Sequence, residues 1–306
     1  MNDLLGVGLF LPNDPSHLGL ISELIDNEAD YFELSPESFW TGSSTGGGIE
    51  LHESVNLFLK IRDFLGKPFV GHGLAYSIGT PLQGSTEINR TEDWLEALAE
   101  SNKLFDFQWY SEHLGFSNSA SGIHTVLPLP LPHNEESVAT ITKRLHMVAG
   151  IIPAVAFENS VFYFSIDDPG EEAVFYNNIC RVSGAQLMLD LHNVYTHCLN
   201  FSLDPYEFLG KIDLKNVIQV HLSGGSFSEP QWLQSSRIVR LDSHDDLIPL
   251  EVMELFEYML PLAPSLRGVI VERLHATLKK NDVDDFKRQF RKVKSLFYDL
   301  GTYTVE

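Results

Sequence analysis

Cysteine is scarce in this 306-residue chain, in which Cys180 and Cys198 are the only two. Two cysteines are too few for the disulfide framework that stabilises small secreted domains. We therefore interpret both as buried, reduced thiols and assign them no role in catalysis or in metal binding.

Positive charge is also scarce, because Lys and Arg total 21 against 42 Asp and Glu, which gives a formal net charge of −21. An acidic surface repels the phosphate backbone of nucleic acids and anionic membranes. We expect neither nucleic acid nor a membrane as a partner. Some of the excess carboxylates can serve as ligands of bound cations, which would offset their charge.

Long apolar runs are missing as well, since no stretch approaches the roughly 18 uninterrupted apolar residues of a membrane-spanning helix. The N-terminal segment lacks the basic start and the small-residue cleavage site of a signal peptide. The sequence therefore predicts a cytoplasmic protein. Hydrophobic residues make up 43% of the chain, enough for a substantial core, and we expect one domain spanning residues 1–306.

Apolar runs of strand length alternate eight times with segments of helical periodicity. The predicted strands cover residues 4–11, 31–34, 68–76, 108–110, 155–157, 187–189, 216–222 and 267–274. Thr91, Asn134 and Asp204 are predicted to cap three of the helices that follow strands. Such alternation predicts parallel strands with helical crossovers. Eight units in one chain favour the α/β class and a closed (β/α)8 TIM-type barrel over two doubly wound domains.

Two segments between these units have unusual composition. The glycine-rich residues 42–49 lack the Gly-Lys-Ser/Thr ending of a phosphate-binding loop, so we interpret them as a flexible loop over the site. Proline alternates with leucine over residues 127–132, which excludes a helix and predicts an extended surface segment.

Side chains that can bind a divalent cation stand where the predicted strands end. Asp190, His192 and Asn193 come directly after the strand at 187–189. The ends of other strands carry His72, His113, Glu158, His221 and Glu272. In a parallel barrel the carboxyl ends of all strands converge on one face, so these side chains should lie around a single mouth. Buried carboxylates and imidazoles need partners, and cations supply them.

The donors are nitrogen and oxygen without a thiolate, which suits iron, manganese or zinc and argues against copper(I) or an iron–sulfur cluster. They exceed what one ion can use, and Glu158 and Glu272 can bridge, so two or three ions are expected. Tyr76, Tyr110 and Asn159 lie beside ligand positions and are candidates for orienting ligands or substrate. The other histidines are interpreted as surface groups or as groups supporting the ligands: His17, His52, His124, His133, His146, His197 and His275.

Nine short motifs occur in order along nearly the whole chain: GVGL, GHGLAYSIG, SEHLGF, LPLP, ENS, LDLHNVY, QVHLSG, DSHD and VERL. Together they resemble the multinuclear non-haem iron-dependent oxidative enzymes, a family that includes the iron enzymes of methanobactin and thiaglutamate biosynthesis. The resemblance implies a barrel with two or three irons that uses O2 to oxidise a residue, commonly a cysteine, of a ribosomally made peptide. It also implies a small partner protein that presents the peptide.

The same resemblance implies roles for individual residues. His72 and His113 would bind one iron, with Glu158 bridging to a second iron that Asp190, His221 and Glu272 complete. Asp242 and His244 would hold a third, more labile ion with a residue of the 190–193 segment. The family often has Asn at the position of His192, so both His192 and Asn193 are candidates for that ligand. Glu112 would stand behind the ligands, and Glu158, Asp190 and Glu272 are the expected catalytic residues.

By resemblance, the reaction removes hydrogen from the carbon next to the substrate sulfur. Two other classes stay open. Metal-dependent sugar isomerases and apurinic endonucleases are barrels that also gather His, Asp and Glu at strand ends, although the negative charge disfavours the endonuclease and an isomerase needs no O2. A metal-carrying scaffold that only binds a peptide would fill with metal and consume no O2.

Overall fold

The computed structural model describes residues 4–42, 48–119, 124–232 and 235–300. Within these ranges the strands are β1 (Gly6–Phe10), β2 (Phe32–Leu34), β3 (Trp40–Gly42), β4 (Ile49–Leu51), β5 (Phe69–Gly73), β6 (Tyr110–His113), β7 (Phe116–Asn118), β8 (His124–Leu129), β9 (Val155–Glu158), β10 (Gln186–Asp190), β11 (Val217–Leu222) and β12 (Gly268–Val271). The helices are α1 (Pro15–Leu20), α2 (Ser22–Asn27), α3 (Val55–Leu65), α4 (Ser85–Phe105), α5 (Glu135–Ala149), α6 (Glu172–Ser183), α7 (Leu191–Phe201), α8 (Pro205–Lys211), α9 (Leu250–Met259) and α10 (Val283–Leu300).

Eight parallel strands close into a barrel in the order β1, β12, β11, β10, β9, β6, β5, β2. One or two helices follow each barrel strand and cross back to the start of the next, which confirms the predicted (β/α)8 barrel. Two antiparallel hairpins are inserted, β3–β4 after β2 and β7–β8 after β6. Both therefore follow the carboxyl ends of barrel strands, on the face where the donors were expected.

Side chains of the barrel strands alternate between the lumen and the helical layer. On β10, Leu187 and Leu189 pack into the large core between barrel and helices. Met188 points inward, in a separate apolar cluster with Trp109 and Ile270. This inner cluster fills the lower lumen, so the polar residues farther along the strands stand above a dry base.

The helices bury one stripe each against the barrel. On α10 the buried residues are Phe286, Phe290, Val293 and Phe297, at the predicted helical spacing. The predicted cap of α5 is confirmed, because Asn134 Oδ1 accepts a 2.9 Å hydrogen bond from the Ser137 amide. Asp204 likewise caps α8.

The prediction that Thr91 caps a helix is wrong, since α4 begins at Ser85, just after Gly84. Gly84 has φ +77°, a backbone conformation that favours glycine and marks the turn into the helix. Thr91 is buried within α4, where its hydroxyl donates to Glu87 Oε1 at 3.3 Å and accepts from Arg144 Nη1 at 2.8 Å. Its hydroxyl thus joins a buried ion pair between α4 and α5 instead of satisfying a helix end.

Helix α7 was not predicted and starts directly after β10. Asp190 ends the strand and caps this helix, with its Oδ1 accepting a 2.7 Å hydrogen bond from the Asn193 amide. His192 and Asn193 therefore lie in the first turn of a helix, and not in a loop after the strand. A helical first turn holds their side chains more rigidly than a loop would.

Strand β8 confirms that the proline-alternating segment at 127–132 begins in extended conformation. The glycine-rich segment supplies the facing ends of β3 and β4, and its residues 43–47, on which the loop prediction falls, lie outside the described residues. In the described part of the chain, no helix is both long and apolar enough to cross a membrane.

Candidate metal centre

Five donors at the barrel mouth follow a two-residue spacing along their strands, which we call the rule of two; His221 does not, because Ile218 of the lumen cluster is followed two positions later by Val220 of the outer core. An inward residue of the apolar lumen cluster is followed, two positions later, by a polar residue on the same face of the strand. The pairs are Val70 and His72, Ala156 and Glu158, Met188 and Asp190, and Ile270 and Glu272. Trp109 on the approach to β6 is followed inward by Ser111 and His113. The polar side chains thus form a layer above the dry base of the lumen.

The first group of donors comprises His72, His113 and Glu158, whose ligand atoms lie within 4.8 Å of one another. Glu158 Oε2 is 2.9 Å from His113 Nε2 and 3.4 Å from His72 Nε2. The far nitrogens are held by neutral oxygens, since His72 Nδ1 is 2.9 Å from Ser111 Oγ and His113 Nδ1 donates to Gly73 O at 3.1 Å. Both histidines therefore present Nε2 to the site.

The second group shares Glu158 and adds the fully buried Asp190 and His221. His221 Nδ1 lies 3.1 Å from Glu272 Oε2, so Glu272 adjoins this group from β12. A further set, Asp190, His244 and Glu272, shares Asp190 with it. Two metal ions that are bridged by one side chain require such a shared carboxylate.

His192, Asp242 and His244 form the outermost group. Asp242 Oδ1 lies 2.6 Å from His244 Nε2 and 3.9 Å from His192 Nδ1. His244 Nδ1 is also 3.2 Å from Glu272 Oε1, so this imidazole lies between the outer and inner carboxylates. His244 has φ +48°, a left-handed conformation that is strained for a residue other than glycine and is typical of functional sites.

Asn193 points to a different part of the site from His192. Its Nδ2 donates to Asn159 O at 3.0 Å and to Glu158 Oε1 at 3.4 Å. Asn159 in turn exchanges two hydrogen bonds with the Asp190 backbone, at 2.8 and 2.9 Å. Asn193 thus holds the Glu158 carboxylate and Asn159 holds the backbone of Asp190, while the imidazole of His192 faces the outer group.

Burial and neighbouring carboxylates shift the pKa of His113 and of His192 in opposite directions, and they shift the pKa of Asp190 in the same direction. Burial lowers the pKa of His113, but the adjacent Glu158 carboxylate outweighs it and raises the pKa to about 10. Burial dominates at His192 and lowers its pKa to about 3, which keeps the imidazole neutral and able to bind a cation. Burial raises the pKa of Asp190 well above its usual range, and Glu158 and Asp242 add repulsion.

The donor atoms fit cations because many of them are buried and meet either no hydrogen-bond partner or only another donor atom of the site. Such atoms are Glu158 Oε2, Asp190 Oδ2, His192 Nδ1, Asn193 Oδ1, His221 Nδ1, Asp242 Oδ1 and His244 Nε2. Buried polar atoms without partners are costly, and a shared cation satisfies several at once. The set contains nitrogen and oxygen only, since Cys180 and Cys198 are buried thiols outside the groups.

Two polar residues of the lumen were missed at the level of the sequence. Glu33 on β2 is fully buried, and its Oε2 lies 3.0 Å from His221 Nε2. Gln219 on β11 donates to the same oxygen at 2.7 Å. The rule of two would have found Glu33, because it stands two positions after the inward Tyr31.

Other expected residues lie apart from the donor groups. Glu112 is buried outside the lumen, where Tyr110 Oη donates to its Oε2 at 3.2 Å. Tyr76 stacks on Trp94 in the helical layer. The interpretation of all remaining histidines as surface or supporting groups is wrong for His197, which is buried and donates from Nε2 to Pro169 O at 2.9 Å. His17 is likewise buried and is not a surface group.

The mouth has an apolar rim. Leu74, Phe164, Ile166, Phe227 and Leu274 follow the barrel strands β5, β9, β11 and β12 at their carboxyl ends, and their exposed fractions lie between 42% and 55%. These residues follow strands that end on the face of the site, where exposed apolar surface is typical of protein or peptide binding.

Comparison with known proteins agrees with this architecture. The structure is similar to a xylose isomerase domain protein from Planctomyces limnophilus, with a TM-score of 0.60 and 14% identity, covering 98% of this chain and 100% of the other. It is also similar to endonuclease IV from Thermus thermophilus, with a TM-score of 0.52 and 17% identity over 94% and 98% of the two chains. At such identities the likeness shows the fold alone.

Comparison of the sequence with known proteins identifies the family. A UPF0276 protein of Caulobacter vibrioides is 27% identical over 257 residues, which cover 83% of this chain and 81% of that protein. A UPF0276 protein of Haemophilus influenzae is 24% identical over 271 residues, or 81% of each chain. The family described as RiPP precursor modification enzyme MbnB/TglH/ChrH matches residues 7–294. The chain therefore belongs to the MbnB/TglH/ChrH family of RiPP precursor modification enzymes.

Proposed function

We propose that this protein is a multinuclear, O2-dependent iron enzyme that oxidises a residue of a ribosomally made peptide, with cysteine as the expected residue. The observation that carries the proposal is the overlap of the donor groups, because Glu158 and Asp190 each belong to two of them. Ions bound in overlapping groups lie close enough to act on one substrate. Family membership supports a peptide substrate.

Iron bound by these groups would supply the O2 binding and one-electron chemistry that no side chain of the set provides. Glu158, Asp190 and Glu272 would hold adjacent ions together, and they are the proposed catalytic residues. Asn193 keeps the Glu158 carboxylate in position, and Asn159 keeps the backbone of Asp190 in position, through the hydrogen bonds described above. The dry base of the lumen excludes water from below, so substrate reaches the ions from the rim.

The apolar rim favours a peptide over a sugar. A sugar offers hydroxyl groups, which need polar partners, whereas Leu74, Phe227 and Leu274 offer none. A small partner protein that presents the peptide is part of the proposal, as is a cytoplasmic location.

The test uses protein produced in iron-rich medium and purified without O2. We expect two to three irons per chain, and O2 consumption that depends on a cysteine-containing peptide encoded beside the gene. Mass spectrometry of the peptide should show loss of hydrogen or gain of oxygen at the cysteine. Anaerobic conversion of a sugar would favour the isomerase class, and metal binding without O2 consumption would favour the non-catalytic scaffold.

A further inference from the structure

Four buried side chains from two barrel strands and the approach to β6 form a hydrogen-bonded row across the lumen that ends at the donor His221. Trp109 Nε1 donates to Gln219 Oε1 at 2.6 Å, and Gln219 Nε2 donates to Glu33 Oε2 at 2.7 Å. Both Glu33 oxygens lie 3.0 Å from His221 Nε2. On the other side of the ring, His221 Nδ1 faces Glu272. All four residues of the row are fully buried, so water does not compete for these contacts.

The direction of hydrogen-bond donation along this row is fixed by Trp109. An indole nitrogen can only donate, so Gln219 must turn its oxygen toward Trp109 and its amino group toward Glu33. Glu33 accepts this hydrogen bond and, as a carboxylate, has no proton to give to His221 Nε2, which lies 3.0 Å from both of its oxygens. Gln219 Nε2 is farther from His221 Nε2, at 3.4 Å. His221 Nε2 must therefore carry the hydrogen in its contact with Glu33, which leaves the lone pair of the neutral ring on Nδ1.

We infer that Trp109, Gln219 and Glu33 hold His221 as the tautomer protonated on Nε2, so that His221 binds its ion through Nδ1, with Glu33 as the positioning residue. This inference rests on the proposed metal centre and deepens it. His72 and His113 are arranged the opposite way, since they present Nε2 and their Nδ1 atoms meet neutral oxygens. Among these three histidines, His221 is the one whose nitrogen facing away from the ion meets a carboxylate. That arrangement makes an imidazole a stronger electron-pair donor to the metal.

Glu33→Gln tests the row with almost no change of volume. The new amide would keep its oxygen on Gln219, and its amino group would then face His221 Nε2. That contact requires His221 to accept at Nε2 and to carry its hydrogen on Nδ1, where the ion should bind. We therefore expect a 10- to 100-fold loss of affinity at the site that His221 serves.

The measurement is a titration of metal-free protein with Co2+, followed by visible absorbance. Glu172→Gln is the matched control, because Glu172 is also a buried carboxylate, 3.0 Å from His133 Nε2, and lies outside the donor groups. The control should keep the affinities of the parent. Circular dichroism should show that both variants are folded.

A second measurement needs no variant. Long-range 1H–15N correlation spectra of the Zn2+-loaded parent, labelled at histidine, should show His221 with hydrogen on Nε2 and none on Nδ1. Hydrogen on Nδ1, or unchanged Co2+ affinity in folded Glu33→Gln protein, would overturn the inference while a parent with two or three bound ions keeps the proposed function. A parent that binds no ion would refute both.

Discussion

Replacing Glu158 with Gln should empty more than one metal position, because this carboxylate is shared by two donor groups. The change keeps the volume of the side chain and removes its charge and one of its two acceptor oxygens. Coulomb's law gives about 8 kcal/mol for a carboxylate and a divalent cation about 4 Å apart at an effective dielectric constant of about 20. Even half of this, about 4 kcal/mol, is roughly a thousandfold in affinity.

The expected result is a loss of about two ions from Glu158→Gln. His72→Ala should lose about one ion, because His72 belongs to one group only. The number of metal ions per chain is measured by inductively coupled plasma mass spectrometry on protein purified without O2. Glu172→Gln serves as the buried-carboxylate control. Folding is checked by circular dichroism. If Glu158→Gln lost one ion or none, the overlap of the groups would not correspond to bridged ions, and the reasoning behind the proposed function would fail.

Three further predictions concern donor residues at the barrel mouth and the buried ion pair between α4 and α5. Asp190→Asn should raise the unfolding free energy of the metal-free protein by about 1 kcal/mol in urea, since burial and neighbouring carboxylates raise the pKa of Asp190 and Asn also caps helices; a loss of stability would contradict this. Glu272→Ala should abolish the magnetic coupling between irons in Mössbauer or EPR spectra, whereas His244→Ala should remove about one ion and leave a coupled pair; the reverse pattern would refute this assignment. Arg144→Met should destabilise the fold by about 3 kcal/mol in thermal unfolding, because the Thr80 carbonyl and the Thr91 hydroxyl lose their buried donor and Glu87 keeps only the more exposed Arg90 as an ionic partner among the described residues; an unchanged melting temperature would contradict it.

The barrel could be predicted from the sequence because two signals mark each barrel strand. One is its apolar run, and the other is the helical periodicity of the segment that follows it. The donors were equally visible where they end such a run, as Asp190 and Glu158 do. Convergence of strand ends then placed residues about 200 positions apart at one mouth. No side-chain coordinates were needed for that step, since it follows from parallel topology.

Glu33 was missed because a single carboxylate in a three-residue apolar strand looks like a solvent-facing position. Its meaning depends on which face of β2 points inward, and only barrel closure decides that. Helix α7 was missed for a related reason. The segment after Asp190 was interpreted for its donors, and the cap that Asp190 gives to the Asn193 amide was overlooked. Asp190 is both a donor at the end of β10 and the cap of α7, and its interpretation as a donor alone missed the helix.

The closure of the barrel by β1 against β12 has a consequence for the biosynthesis of the protein. These two strands pair residue by residue from Gly6 and Gly268 onward, and Glu272 follows directly after β12. A ribosome must therefore synthesise the chain through β12 before Glu272 can join the other donors. The first group, which ends at Glu158, is synthesised far earlier. A cation present during translation would meet an incomplete set of donors, so the full set of donor groups exists only after β1 and β12 have paired.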